Sequence, residues 1–199
     1  MSIQSELIER NQRFACTFDR GDLQILPTLR TVMVACGDAR VDPAHIFGLD
    51  LGEAVILRNN GGRVTRAIIE EIAALAVLVN KATQGQEDGF NVVLLQHTQC
   101  GAQRLANPEL QTLLKKKLGI DVSDYAITNQ EADLIGDIGR LSAAPEIPDT
   151  LSVSALLYDV ADGSVREIAP SKTVAEWRVD LPGTERHYFE AVEDGETAA

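Results

Sequence analysis

Short, continuous apolar runs rich in β-branched residues alternate along this chain with longer stretches in which apolar positions recur every three or four residues. TVMVAC (31–36), EAVILR (53–58) and FNVVLLQ (90–96) have the length and composition of buried strands. LSVSALLYDV and SVREIA, separated by ADG, read as two further strands joined by a tight turn. Between them, Ile68, Ile69, Ile72, Ala73, Ala76 and Val79 fall at helical spacing over 66–82, with Thr65 placed to cap that helix. Helices are also expected over 2–20, where Leu7, Ile8 and Phe14 can share a face, over 43–49 behind a first-turn proline, over 108–118, over 129–142, and around 171–178.

Strands that are apolar throughout, each followed by a helix, predict an α/β fold with a mostly parallel central β-sheet flanked by helices and a late antiparallel strand. Neither repeats nor an interdomain linker interrupt the pattern. The reading is one domain over 1–199, with an N-terminal helical arm at 1–29 and a frayed tail at 180–199. In sheets of this kind, ligands bind beyond the carboxyl ends of the strands.

Composition narrows the partners. With 18 Lys plus Arg against 30 Asp plus Glu in 199 residues, the formal charge is −12. An acidic chain is repelled by nucleic acid and by anionic membranes, and the longest apolar run, IAALAVLV (72–79), is far short of the roughly 20 residues that span a bilayer. The opening MSIQSELIERN has no apolar secretory core. Three cysteines, Cys16, Cys36 and Cys100, are too few for a disulfide scaffold. The expectation is a soluble, cytoplasmic protein whose working cysteines act as thiolates.

The chemistry collects at the strand ends. The first predicted strand ends in Cys36-Gly37-Asp38-Ala39-Arg40, the second in Arg58-Asn59-Asn60-Gly61-Gly62, and the third in His97-Thr98-Gln99-Cys100-Gly101. On a parallel sheet all three ends share one edge. Two thiolates and an imidazole suit Zn²⁺, and three protein ligands leave the fourth tetrahedral position open, as in catalytic zinc sites. Asp38 and Arg40 alternate with Cys36. A guanidinium would keep that carboxylate ionised and oriented, able to accept a hydrogen bond from zinc-bound hydroxide.

CGDAR, GEAVILRNNGG and HTQCG, in this order on three successive strands, resemble the β-class carbonic anhydrases, whose pattern is Cys-x-Asp-x-Arg, a GEA…RNxG segment and His-x-x-Cys-Gly. YDVADGSVREI resembles the late strand pair of that family. The resemblance implies that Cys36, His97 and Cys100 bind Zn²⁺, that Asp38 and Arg40 form the catalytic dyad, and that the chain reversibly hydrates CO₂ to bicarbonate. It also implies a homodimer or higher homo-oligomer embraced by N-terminal helices, and a closed state in which Asp38 replaces water on zinc. Family members with a regulatory bicarbonate site carry tryptophan three residues before the first zinc cysteine. Met33 stands there instead, so that form of inhibition is not expected.

The remaining polar candidates read as structural. Cys16 is expected to be inert packing in its helix, and His45 and His187 to be structural or exposed. Arg58 with Gly61-Gly62 either shapes an anion-friendly turn or ends a strand, and the second reading is favoured. Gln24 lies near the first strand but off the spacing of the family's substrate-binding glutamine. Two other functions share the pattern: a carbonyl sulfide or carbon disulfide hydrolase using the same site, and a non-catalytic zinc or anion-binding protein. A phosphatase-type thiolate loop fails on spacing, because Asp42 stands where its arginine belongs.

Overall fold

The computed structural model describes residues 2–85 and 89–181. Its five strands are β1 (Thr31–Cys36), β2 (Ala54–Asn59), β3 (Asn91–His97), β4 (Ser152–Tyr158) and β5 (Val165–Thr173). They form one sheet in the order β2-β1-β3-β4-β5. Pairings β1–β2, β1–β3 and β3–β4 are parallel, and β4–β5 is antiparallel, as the pattern predicts. The helices of the described residues are α1 (Ile3–Ala15), α2 (Pro43–Phe47), α3 (Arg66–Ala82), α4 (Pro108–Leu118), α5 (Gln130–Ala143) and α6 (Val174–Asp180).

Alternate residues of the inner strands supply the two faces. Val32, Val34, Val92, Leu94, Val153 and Ala155 join Ile69 and Ile72 of α3, Leu134 and Ile138 of α5 and Trp177 of α6 in the main core. On the other face Ala35, Val41 and Leu95 pack with Ile46, Phe47, Leu156 and Tyr158 in a smaller cluster. Burial on both faces is why these strands read as unbroken apolar runs. Local signals set the helix ends: Asp42 caps α2 through its side chain, Asn107 caps α4 and Asn129 caps α5, while Gly48 and Gly119 close α2 and α4 in left-handed conformations.

Several boundaries differ from expectation. The final helix starts at Val174, because Ser152 and Val153 still pair with Thr173 and Lys172 and because Thr173 forms a reciprocal capping box with Glu176. Thr65 holds the N-cap position of α3, yet its side chain makes no capping bond. The helix of the N-terminal arm stops at Ala15, and none of its residues is buried. Cys16, just beyond it, is exposed rather than packed in a core. Short 3₁₀ turns at Gly101–Ala106 and Ser123–Tyr125 carry no apolar period and were not expected. His187 and nearly all of the expected tail lie outside the described residues.

Candidate metal centre

β1 and β3 run parallel side by side, so their carboxyl ends deliver Cys36 and His97 to the same edge. Cys100 comes back to them through a tight reversal at residues 98–100. Thr98 donates its N–H to the Tyr158 carbonyl at 2.9 Å, and Gln99 takes a left-handed conformation with φ 54°. The result is a Cys36 Sγ–Cys100 Sγ distance of 3.7 Å, with the ligating atoms of Cys36, His97 and Cys100 all within 4.8 Å of one another. All three residues are buried.

The donor set fits a zinc ion. Two sulfurs each about 2.3 Å from a tetrahedral Zn²⁺ would be about 3.8 Å apart, close to the distance observed. His97 Nδ1 lies 2.9 Å from the Thr98 carbonyl, so it carries the proton and leaves a lone pair on Nε2. That Nε2 is buried without a hydrogen-bond partner among the described residues, an arrangement that costs free energy unless something binds it.

The two thiols are electrostatically unequal. The Cys36 thiol is pushed down by the hydrogen bond from Cys100, by His97 and by the backbone N–H groups of Asp38 and Gly61, against the opposing effect of burial. Cys100, the donor to that thiolate, is pushed up by the same bond and by burial. A cation at this point would relieve the repulsion that keeps the second thiol protonated.

Asp38 and Arg40 lie at the rim. Arg40 Nε donates to Asp38 Oδ1 at 3.0 Å and Nη2 to Oδ2 at 2.7 Å, while the Arg40 N–H reaches Oδ1 at 2.9 Å. This fork holds the Asp38 carboxyl well below the usual carboxylate range. Arg40 is anchored in turn by the Gln99 carbonyl at 3.1 Å, and Asp38 Oδ2 stands 3.9 Å from His97 Nε2. A cavity of about 320 Å³, lined by Cys36, Asp38, Gly61, Ala102 and Leu105 among others, opens beside them.

The other candidates sit elsewhere or serve the frame. Arg58 donates to the carbonyls of Cys36, Asp38 and Val41 at 3.0, 2.8 and 2.6 Å, and so holds the loop after β1 in place. Gly62 has φ 62°, and a Cβ there would fall 2.8 Å from the Cys36 nitrogen, so only glycine lets this turn close on β1. His45 is exposed on α2. Gln24 is exposed, bonded to the Asp22 carbonyl, and precedes the amino end of β1, at the far end of that strand from Cys36.

The sequence reading missed a buried polar group behind the site. Arg63 and Asp137 form an ion pair with side chains 4% and 0% exposed, and Gln96 adjoins them. The available signal was a carboxylate, Asp137, lying on the helix stripe that also carries Leu134, Ile138 and Leu141.

A family model described as carbonic anhydrase matches residues 31–132, just over half of the chain, including Cys36, Asp38, Arg40, His97 and Cys100. The chain belongs to the β-class carbonic anhydrase family. Its similarity to beta-carbonic anhydrase 1 of Mycobacterium tuberculosis is 26% identity over 172 residues, covering 85% of this chain and all of the relative. Among solved structures, the carbonic anhydrase from Streptococcus mutans superposes with a TM-score of 0.70 at 35% identity, covering 84% of this carbonic anhydrase and 98% of that chain. The apo form of a carbon disulfide hydrolase shares the fold, with a TM-score of 0.53 at 21% identity over 83% of this chain and 89% of that one.

Proposed function

We propose that Cys36, His97 and Cys100 hold Zn²⁺ and that this enzyme reversibly hydrates CO₂ to bicarbonate and a proton. The observation that carries the reading is the trio of buried ligand atoms, with an unpartnered His97 Nε2 and a sulfur spacing suited to tetrahedral zinc, next to a carboxylate already fixed by arginine. Bound there, zinc supplies a Lewis-acid centre that brings the pKa of water to about 7.

The chain's own residues do the rest. Asp38, ionised and acceptor-only, receives a hydrogen bond from the attacking oxygen and thereby turns a lone pair of that oxygen toward the carbon of CO₂. Arg40 keeps both Asp38 oxygens in place, so the carboxylate does not rotate away between turnovers. Its positive charge also favours the anionic product at the rim. Ala102 and Leu105 give the pocket an apolar side, which suits a substrate that offers little to hydrogen-bond. The Cys100 and His97 loop serves both functions, since its Gln99 carbonyl orients Arg40.

Hydrolysis of carbonyl sulfide or carbon disulfide would use the same groups, and the carbon disulfide hydrolase among the fold neighbours is the reason to assay it. Metal content, CO₂ hydration and H₂S release are measured on one preparation. One zinc per chain with CO₂ turnover far exceeding H₂S release supports the proposal; zinc-loaded protein that releases H₂S but leaves CO₂ untouched replaces it with the hydrolase. A zinc-loaded protein inactive on all three substrates would make the site a binding centre.

The enzyme is further proposed to act as a homodimer or larger homo-oligomer in a reducing, cytoplasmic setting, where unpaired cysteines persist. Among the described residues none of α1 is buried, and its apolar Leu7, Ile8 and Phe14 are about half exposed. β2 is an edge strand, and a cleft lined by Phe14, Phe18, Leu51 and Ile56 runs beside it. No helix among the described residues is long and apolar enough to cross a membrane.

A further inference from the structure

Behind the cysteines lies a buried ion pair that the proposed reaction does not use. The Arg63 guanidinium forks onto Asp137, with Nε 2.7 Å from Oδ2 and Nη2 3.1 Å from Oδ1, and Nη1 donates to the Ala126 carbonyl. Gln96, the residue before His97, donates to Asp137 Oδ2 at 3.5 Å, and Arg140 reaches Oδ1 at 3.3 Å. Burying an ion pair seldom stabilises a fold more than an apolar replacement of equal volume would. Stability is therefore a weak reason for placing one here.

Its backbone connections suggest a stronger reason. The Arg63 N–H donates to Asn59 Oδ1 at 2.9 Å, and Asn59 Nδ2 donates to the Arg63 carbonyl at 2.8 Å, closing the turn 60–62 that follows β2. The turn is wedged on both sides. A Cβ on Gly61 would meet the Tyr125 carbonyl oxygen at 3.0 Å, and one on Gly62 would meet the Cys36 nitrogen at 2.8 Å. The same turn is tied to the end of β1, where the Gly37 N–H donates to the Asn59 carbonyl at 2.8 Å.

We propose that Arg63 and Asp137 are positioning residues of the metal centre, fixing the 60–62 turn against the end of β1 so that Cys36 keeps its place as a ligand. The inference rests on the reading of Cys36 as a metal ligand. A sulfur that drifts from its place holds a metal less tightly. Partners of this outer kind are worth about tenfold to a hundredfold in metal affinity or activity.

The test loads Co²⁺ into the wild-type chain, into Arg63→Lys, and into the paired replacement Arg63→Met with Asp137→Leu. Arg63→Lys keeps the charge but loses the fork, and the pair removes both charges together. The readouts are the thiolate-to-cobalt absorption band and the rate of cobalt release to a chelator. Both variants are expected to release cobalt about tenfold faster or more, with the band shifted from its wild-type position. Folded variants with the wild-type band and release rate would overturn the proposal. A wild-type protein with no thiolate-to-cobalt band would overturn the metal reading itself. Should the variants not fold, amide exchange at Arg63, whose N–H closes the turn on Asn59, decides in the metal-loaded wild type: a protected amide supports the proposal, and one exchanging as freely as an open amide overturns it.

Discussion

Gln99 ties the proposed metal ligands to the proposed dyad through one backbone conformation. Its φ of 54° reverses the chain between His97 and Cys100, and its carbonyl then accepts from Arg40. A left-handed residue other than glycine is strained, and asparagine tolerates that region better than glutamine. The Gln99 side chain is exposed, so Gln99→Asn should raise stability by about 0.5 kcal/mol while leaving CO₂ turnover near wild type; a thermal melt beside a rate measurement checks both. Arg40→Ala is expected to act in the opposite sense. Without the fork, Asp38 loses its fixed direction and its depressed pKa, and turnover should fall by about a hundredfold with zinc retained.

Among the elements, the turn after β2 carries more of the site than its composition suggests. Gly62→Ala would press a methyl group against Cys36 N and Ala35 C at 2.8 and 2.9 Å while forcing a strained φ, so a loss of about 2 kcal/mol or more and weakened metal binding are expected from denaturant melts and metal titration. Much of this element plan was legible. Doubly buried strands advertise themselves as apolar runs, and a parallel sheet puts their carboxyl ends together, which brought Cys36, Asp38, Arg40, His97 and Cys100 into one place before any coordinates. What stayed hidden depends on contacts distant in sequence. Arg63 and Asp137 are 74 positions apart, and no local period announces that a charged residue will be buried against another. The β5–α6 boundary was misplaced for a related reason: pairing of Lys172 and Thr173 with β4 outweighs the local helical pattern.

For the molecule as a whole, the net charge of −12 gives no sign of the proposed zinc site with Arg40 at its rim. The exposed arm is the other whole-molecule feature. Phe14 and Phe18 lie with ring centroids 5.5 Å apart and planes tilted by 45°, and both are about half exposed, so replacing both with glutamate should shift the assembly to monomers in sedimentation experiments, with the isolated fold preserved. The central claim, a zinc site whose reaction is directed by Asp38, is tested most directly by stopped-flow CO₂ hydration on zinc-quantified wild-type protein beside Asp38→Asn. One zinc per chain in both proteins, with rapid hydration by the wild type and at least a hundredfold loss in the variant, is the predicted result. Zinc-loaded wild type that does not hydrate CO₂, or an Asp38→Asn variant as active as wild type, would contradict it.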